Sequence, residues 1–222
     1  MDNPTPIADV LEQQVERMAA SQPHTEPAPA APAPVEGGYT RAEYEARRDA
    51  HRWAEILPAR YHDASLDDLP EPEASILAEW AADPAGRNVI FAGPVGTGKS
   101  HAAAATLRAT GGHRVRFLPV VELLDLLRPG GPEDIMDELV DLDVLVVDDI
   151  GSERPTEWTS ERLYSLINRR WLEMLPVIVT SNMTAPDLRE RIGERQFSRI
   201  LGNDSIVIKL TGSDKRRTAS AK

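Results

Sequence analysis

Val89-Ile90-Phe91-Ala92-Gly93-Pro94-Val95-Gly96-Thr97-Gly98-Lys99-Ser100 is the stretch from which the fold can be read. Its first four residues are apolar and rich in strand formers, the mark of a short buried strand. The next eight satisfy the pattern GxxxxGK[ST]. Glycines in such a loop let successive backbone N–H groups turn inward around a phosphate. The lysine reaches the β- and γ-phosphates, and the hydroxyl ligates Mg²⁺. A helix predicted over 99–109 starts at that point, and its positive end adds to the cradle. Strand before and helix after are the context the pattern needs. Gly93, Pro94, Val95, Gly96, Thr97, Gly98, Lys99, Ser100 and the adjoining His101 therefore predict a nucleoside triphosphate site, with Ser100 as one metal ligand.

Downstream, apolar runs at 115–118, 144–147, 177–180 and 206–208 alternate with helical segments at 99–109, 121–127, 133–141 and 160–174. Strands separated by helices imply βαβ crossovers and a parallel sheet covered on both faces. Asp148-Asp149 follows the strand at 144–147, at the carboxyl end where such sheets present ligands. Asp148 suits the role of holding Mg²⁺, and Asp149 that of orienting or deprotonating the attacking water. Two acids after a strand can also cap a turn. Asn182 ends the strand at 177–180 in Thr180-Ser181-Asn182. It can orient the hydrolytic water or serve the turn before the helix begun by Thr184-Ala185-Pro186-Asp187. A short helix, 194–201, closes on Gly202 and puts Arg195 and Arg199 on one face. Each is either a solvated charge or an arginine finger for a neighbouring subunit.

Upstream of the loop the chain changes character. Ile7, Val10, Leu11, Val15 and Met18 recur at helical spacing and predict a short amphipathic helix within residues 1–19. Residues 20–38 carry Pro23, Pro27, Pro29, Pro32 and Pro34 among alanines, a semi-rigid linker that builds no core. A helix on such a tether is a docking element for another protein or an inert terminus. Residues 39–69 read as a helical arm, 70–212 as the nucleotide-binding domain and 213–222 as a basic tail.

The 222 residues contain no cysteine, which excludes disulfides, thiolate metal sites and a catalytic thiol. No run approaches the ~20 apolar residues of a membrane span. Met1-Asp2-Asn3-Pro4 lacks the basic and apolar regions of a signal peptide, so a cytoplasmic protein is expected. A net charge of −11 argues against a general nucleic-acid coat but leaves room for a local basic groove. Candidates for such a groove are Arg114, Arg116, Arg128 and, as the strongest pair, Arg169 with Arg170.

Taken in order and spacing, the segments 93–100, 144–151, 177–183 and 193–201 resemble the DnaC/IstB family of AAA+ ATPases. Pro155-Thr156-Glu157-Trp158, Glu161-Arg162-Leu163-Tyr164, Ile167-Asn168-Arg169-Arg170 and Leu57-Pro58-Ala59-Arg60-Tyr61 are similar to that family as well. The resemblance implies an α/β fold: a P-loop AAA+ domain with a five-stranded parallel sheet and helices on both faces, here behind a helical and disordered N-terminal extension. It implies ATP and Mg²⁺ as ligands, with Lys99 and Ser100 as Walker A and Asp148 as Walker B. Asn182 becomes sensor 1, Arg199 the trans-acting finger with Arg195 in reserve, and Arg216 a sensor 2-like arginine.

The function implied is that of a replicative helicase loader that binds single-stranded DNA, docks a hexameric helicase through its N-terminal region and forms a homo-oligomer with ATP. The alternative is a transposition helper that binds duplex DNA and recruits a transposase. Two departures from the family pattern stand out. Asp149 replaces the usual glutamate, which predicts slow hydrolysis, stimulated by DNA or assembly. The sequence also runs only about ten residues past its last strand, too few for a helical lid, which places more weight on a neighbouring subunit.

Overall fold

The computed structural model describes residues 41–112, 114–202 and 205–212. The predicted docking helix, the Pro-rich linker and Arg216 lie outside the described residues. Five strands, β1 (Val89–Ala92), β2 (Val115–Pro119), β3 (Val144–Asp148), β4 (Val177–Ser181) and β5 (Ile206–Lys209), form one sheet in the order β2-β3-β4-β1-β5. Every pairing is parallel. The helices are α1 (Arg41–Ile56), α2 (Glu73–Ala82), α3 (Lys99–Ala109), α4 (Val120–Leu126), α5 (Ile135–Val140), α6 (Glu157–Leu172), α7 (Ala185–Ile192) and α8 (Glu194–Leu201). This is the expected five-stranded parallel architecture with helices on both faces.

The alternation of side chains along each strand divides the core in two. Val89, Phe91, Val144, Val146 and Ile178 face a cluster with Leu77 and Trp80 of α2 and the alanines of α3. Trp53, Leu57 and Ala64 are buried in the same cluster. Ile90, Leu145, Val147, Val177 and Val179 face the other cluster, built with α4 to α8.

Two local differences from the sequence reading have plain causes. The helix α2 was not expected, because only Leu77, Trp80 and Ala81 of its ten residues are buried, too short a stripe to stand out. The helix α6 starts at Glu157 and not near 160, because Thr156 caps it: its hydroxyl accepts from the Thr159 N–H at 3.1 Å and Thr159 answers at 2.9 Å.

Asn88, immediately before β1, joins three elements. Its amide nitrogen donates to the carbonyls of Arg199 (3.1 Å) and Ile200 (3.0 Å), and its oxygen accepts from the Val177 N–H at 2.8 Å. A single buried amide thus satisfies two carbonyls at the end of α8 and fixes that helix against the starts of β1 and β4.

Candidate functional site: a phosphate cleft at three strand ends

The strands β3, β4 and β1 are neighbours, so their carboxyl ends lie side by side. From β1 the chain enters the loop at Gly93. Its φ is +151°, and a Cβ there would sit 2.0 Å from the Leu210 carbonyl oxygen, so only glycine lets the loop leave beside β5. Gly98 takes the left-handed conformation (φ +97°) that turns the chain into α3. Inside the loop, Lys99 Nζ donates to the Pro94 carbonyl at 2.8 Å and Thr97 Oγ1 donates to the same oxygen at 2.9 Å. Lys99 is buried, with its amine held across the loop.

The ends of β3 and β4 bring the polar groups together. Ladder pairing between these strands reaches Val147 and Val179, and beyond it side-chain bonds join the backbone bond from the Ile150 N–H to the Thr180 carbonyl. Thr180 Oγ1 donates to Asp148 Oδ1 at 2.6 Å and accepts from the Asp149 N–H at 2.8 Å. Ser181 Oγ donates to the Ile150 carbonyl at 2.8 Å, and Asn182 Nδ2 donates to Asp149 Oδ1 at 2.6 Å. Asp149 itself has φ +61°, a left-handed conformation uncommon outside glycine. Ser100 faces Asp148 from the loop side and favours its charged form. Burial raises the Asp148 pKa above its ordinary 3.8, while the Thr180 bond, Ser100 and the Lys99 charge pull it back.

These groups open on a cleft of about 830 Å³. Val95 through His101, Asp148, Asp149, Thr180 and Asn182 line it, so the predicted loop, acid pair and strand-end amide share one site. Further lining was not anticipated: Arg60, Tyr61, Asp68 and Leu69 of the arm, followed by Pro70. His101 Nε2 lies 2.8 Å from Asp68 Oδ2, and the Tyr61 ring packs edge-on to His101 and against Phe117. The 57–61 segment carried part of the resemblance, but no phosphate-binding pattern marks it as lining.

Arg199 lies elsewhere and does not line this cleft. Its Nε donates to Asn168 Oδ1 at 2.8 Å, and its guanidinium lies over the rings of Tyr164 and Trp171 at 5.1 and 5.3 Å. Arg195 is exposed on the same helix. The DNA candidates fare unequally. Arg114 and Arg128 are exposed and Arg169 is half-buried, and they pair with Asp143, Asp125 and Asp137. Arg116 is half-buried on the edge strand β2. Arg170 is a correction: it is fully buried and donates to four backbone carbonyls, so no phosphate can reach it.

A profile of the IstB-like ATP-binding protein family matches residues 65–207. The chain belongs to this family. Over 128 residues it is 30% identical to the replicative helicase loader DnaC of Escherichia coli K12, covering 54% of this chain and 52% of that one. It is 34% identical over 113 residues to an ATP-binding protein of insertion sequence IS21 from Pseudomonas aeruginosa, covering 48% and 42%. The chain thus spans about half the length of the curated relatives it matches. Among solved structures, the crystal structure of the DnaC helicase loader superposes with a TM-score of 0.62 at 25% identity, covering 69% of this chain and all of that one. The motif-based resemblance and the AAA+ fold hold together. No helix among the described residues is long and apolar enough to cross a membrane.

Proposed function

We propose that this chain is a cytoplasmic replicative helicase loader: an ATPase that binds single-stranded DNA and docks a hexameric helicase. The observation that supports ATP turnover most directly is the meeting of Ser100, Asp148, Asp149 and Asn182 in one cleft with Lys99. In this reading Lys99 and the loop amides hold the β- and γ-phosphates of ATP. Asp149, held by Asn182, orients the attacking water and draws off its proton. Ser100 and Asp148 offer hard oxygen donors in the same cleft, which would suit Mg²⁺, an ion that usually keeps several waters and is shared with substrate phosphates. When bound, Mg²⁺ neutralises charge on the β- and γ-oxygens. Arg199 supplies the remaining positive charge from an adjacent protomer in an ATP-dependent assembly, and Arg216 acts as a sensor 2-like arginine.

Support for loading comes from the likeness to DnaC along the whole of its solved domain and from the Pro-rich tether before the arm. The second reading, a transposition helper on duplex DNA, draws on the family description and the 34% identity to the IS21 protein. A binding assay separates them. Full-length chain and a version lacking residues 1–38 are each offered a purified replicative helicase and a transposase. Capture of the helicase by the full chain alone is the expected result. Capture of the transposase replaces the loader with the helper. Phosphate release that stays at background with and without single-stranded DNA overturns the ATPase reading itself.

A further inference from the structure

We propose that Thr180 is a positioning residue for hydrolysis: its hydroxyl ties β4 to both members of the acid pair and sets where each carboxylate points. The inference rests on the ATPase reading of the cleft. Thr180 sits at the next-to-last position of β4 and is 1% exposed. Three bonds join it to three consecutive residues. Its hydroxyl donates to Asp148 Oδ1 at 2.6 Å, the same oxygen accepts from the Asp149 N–H at 2.8 Å, and its carbonyl accepts from the Ile150 N–H at 2.9 Å.

The donor and acceptor chemistry leaves little choice of residue. An ionised carboxylate can only accept and a backbone N–H can only donate, so the bridging atom must do both at once. Only a hydroxyl has one proton to give and lone pairs to spare in so small a volume. Valine has the shape but neither capacity. Serine has both capacities but lacks the methyl group that fits a packed strand.

The geometry reaches further than Asp148. Asp149 holds φ +61°, and strained conformations of this kind persist only where their surroundings over-determine them. Two groups do so here: Thr180 takes the Asp149 N–H, and Asn182 takes its carboxylate. Thr180 therefore fixes one acid by its side chain and the other by its backbone. With the hydroxyl gone, Asp148 is free to change rotamer away from Ser100, and the turn at Asp149 loses its backbone anchor. The phosphate loop keeps its own bonds, Lys99 and Thr97 to Pro94, so phosphate binding is left in place.

Thr180→Val is the test, with Thr180→Ser as the conservative partner. Outer-shell partners of metal ligands typically affect metal affinity or activity by about 10–100-fold. In Thr180→Val, kcat falls by about that factor while KM for ATP moves by less than about threefold. A fluorescent ATP analogue binds both variants equally in EDTA, whereas the Mg²⁺ needed to tighten that binding rises in Thr180→Val. Amide exchange at Asp149, read in the protein without nucleotide, speeds up in Thr180→Val. Thr180→Ser stays near wild type in all of these. If Thr180→Val fails to fold, Thr180→Ala set against Thr180→Ser carries the same comparison. Wild-type kcat, Mg²⁺ dependence and Asp149 exchange in a folded hydroxyl-less variant overturn the positioning role. An equal loss in Thr180→Ser overturns it too, since packing and not the hydroxyl would then be responsible. A wild-type chain that neither binds nor hydrolyses ATP overturns the reading beneath it, and is seen before any variant is made.

Discussion

Replacing Arg170 by methionine keeps much of the side-chain volume and deletes every hydrogen-bond donor. In the native chain Nη1 donates to the carbonyls of Leu139 (2.8 Å), Val140 (3.0 Å) and Leu142 (2.9 Å), and Nη2 donates to that of Pro176 (2.7 Å). Leu139 and Val140 close α5, where a helix leaves its last carbonyls without internal partners. Burial lowers the Arg170 pKa to about 10, which keeps the group charged at neutral pH. Each buried carbonyl left unpaired costs roughly 1–3 kcal/mol, so four of them cost roughly 4 kcal/mol at the low end. Set against a total stability of about 5–15 kcal/mol, that is a large share. The neighbouring Arg169→Ala is the control, since it breaks only an exposed pair with Asp137, worth about 0–1 kcal/mol. Urea unfolding followed by far-ultraviolet circular dichroism checks both. The expected result is a collapsed midpoint, or a chain unfolded in buffer, for Arg170→Met and a near-native curve for Arg169→Ala. Equal stability of the two variants, within about 1 kcal/mol, would refute the clamp and reopen Arg170 as a surface residue.

Lys99→Ala removes the buried amine from the phosphate loop and should abolish ATP binding or turnover in a fluorescence and phosphate-release assay; unchanged affinity and rate overturn the loop assignment. Asp148→Asn should raise the thermal midpoint of the metal-free protein at pH 7 and abolish hydrolysis. Its pKa is raised in the fold, so its contribution favours folding below the unfolded value of 3.8 and is lost as pH rises through the folded value. The gain should therefore shrink towards pH 4 in a melting series, and a gap independent of pH counts against burial of the charge. Arg199→Ala should bind ATP normally and lose DNA-stimulated hydrolysis, a finger being worth around 10³–10⁵ in rate in GTPases. Mixing it with Lys99→Ala should return activity through composite sites; no recovery at any ratio, with both chains folded, returns Arg199 to a surface role.

The phosphate loop and acid pair are legible because their chemistry is local: strand, loop and helix follow one another within residues 89–109, and the two acids directly follow the apolar run at 144–147. Asn182 is legible for the same reason, as a polar group at the end of an apolar strand. The bond that joins Thr180 to Asp148 is not. It spans 32 residues and exists only because β3 and β4 are adjacent in the order β2-β3-β4-β1-β5, which a run of alternating strands and helices does not state. The arm's share of the cleft lining is hidden likewise, since Asp68 meets His101 across 33 residues with no shared motif.

The two arginine helices show where one more step of sequence reasoning carries. On α6 the buried residues are Leu163, Leu166, Ile167 and Arg170, positions i, i+3, i+4 and i+7 of one stripe. Arg170 continues an apolar face, whereas Arg169 stands one residue off it. Helical phase alone would have separated the pair that composition grouped together. Applied to α8, the same count gives Gln196, Phe197 and Ile200 as the buried stripe. Arg195 and Arg199 fall together outside it, four residues apart. Arg199 is therefore left off that stripe and half-buried, with Asn168, Tyr164 and Trp171 holding the guanidinium in place. A side chain meant to reach a second protomer has to be excluded from its own core and still be ordered. Arg199 lies off the buried stripe of its helix and its guanidinium is held, whereas Arg170, read as a DNA contact, is enclosed by its own fold.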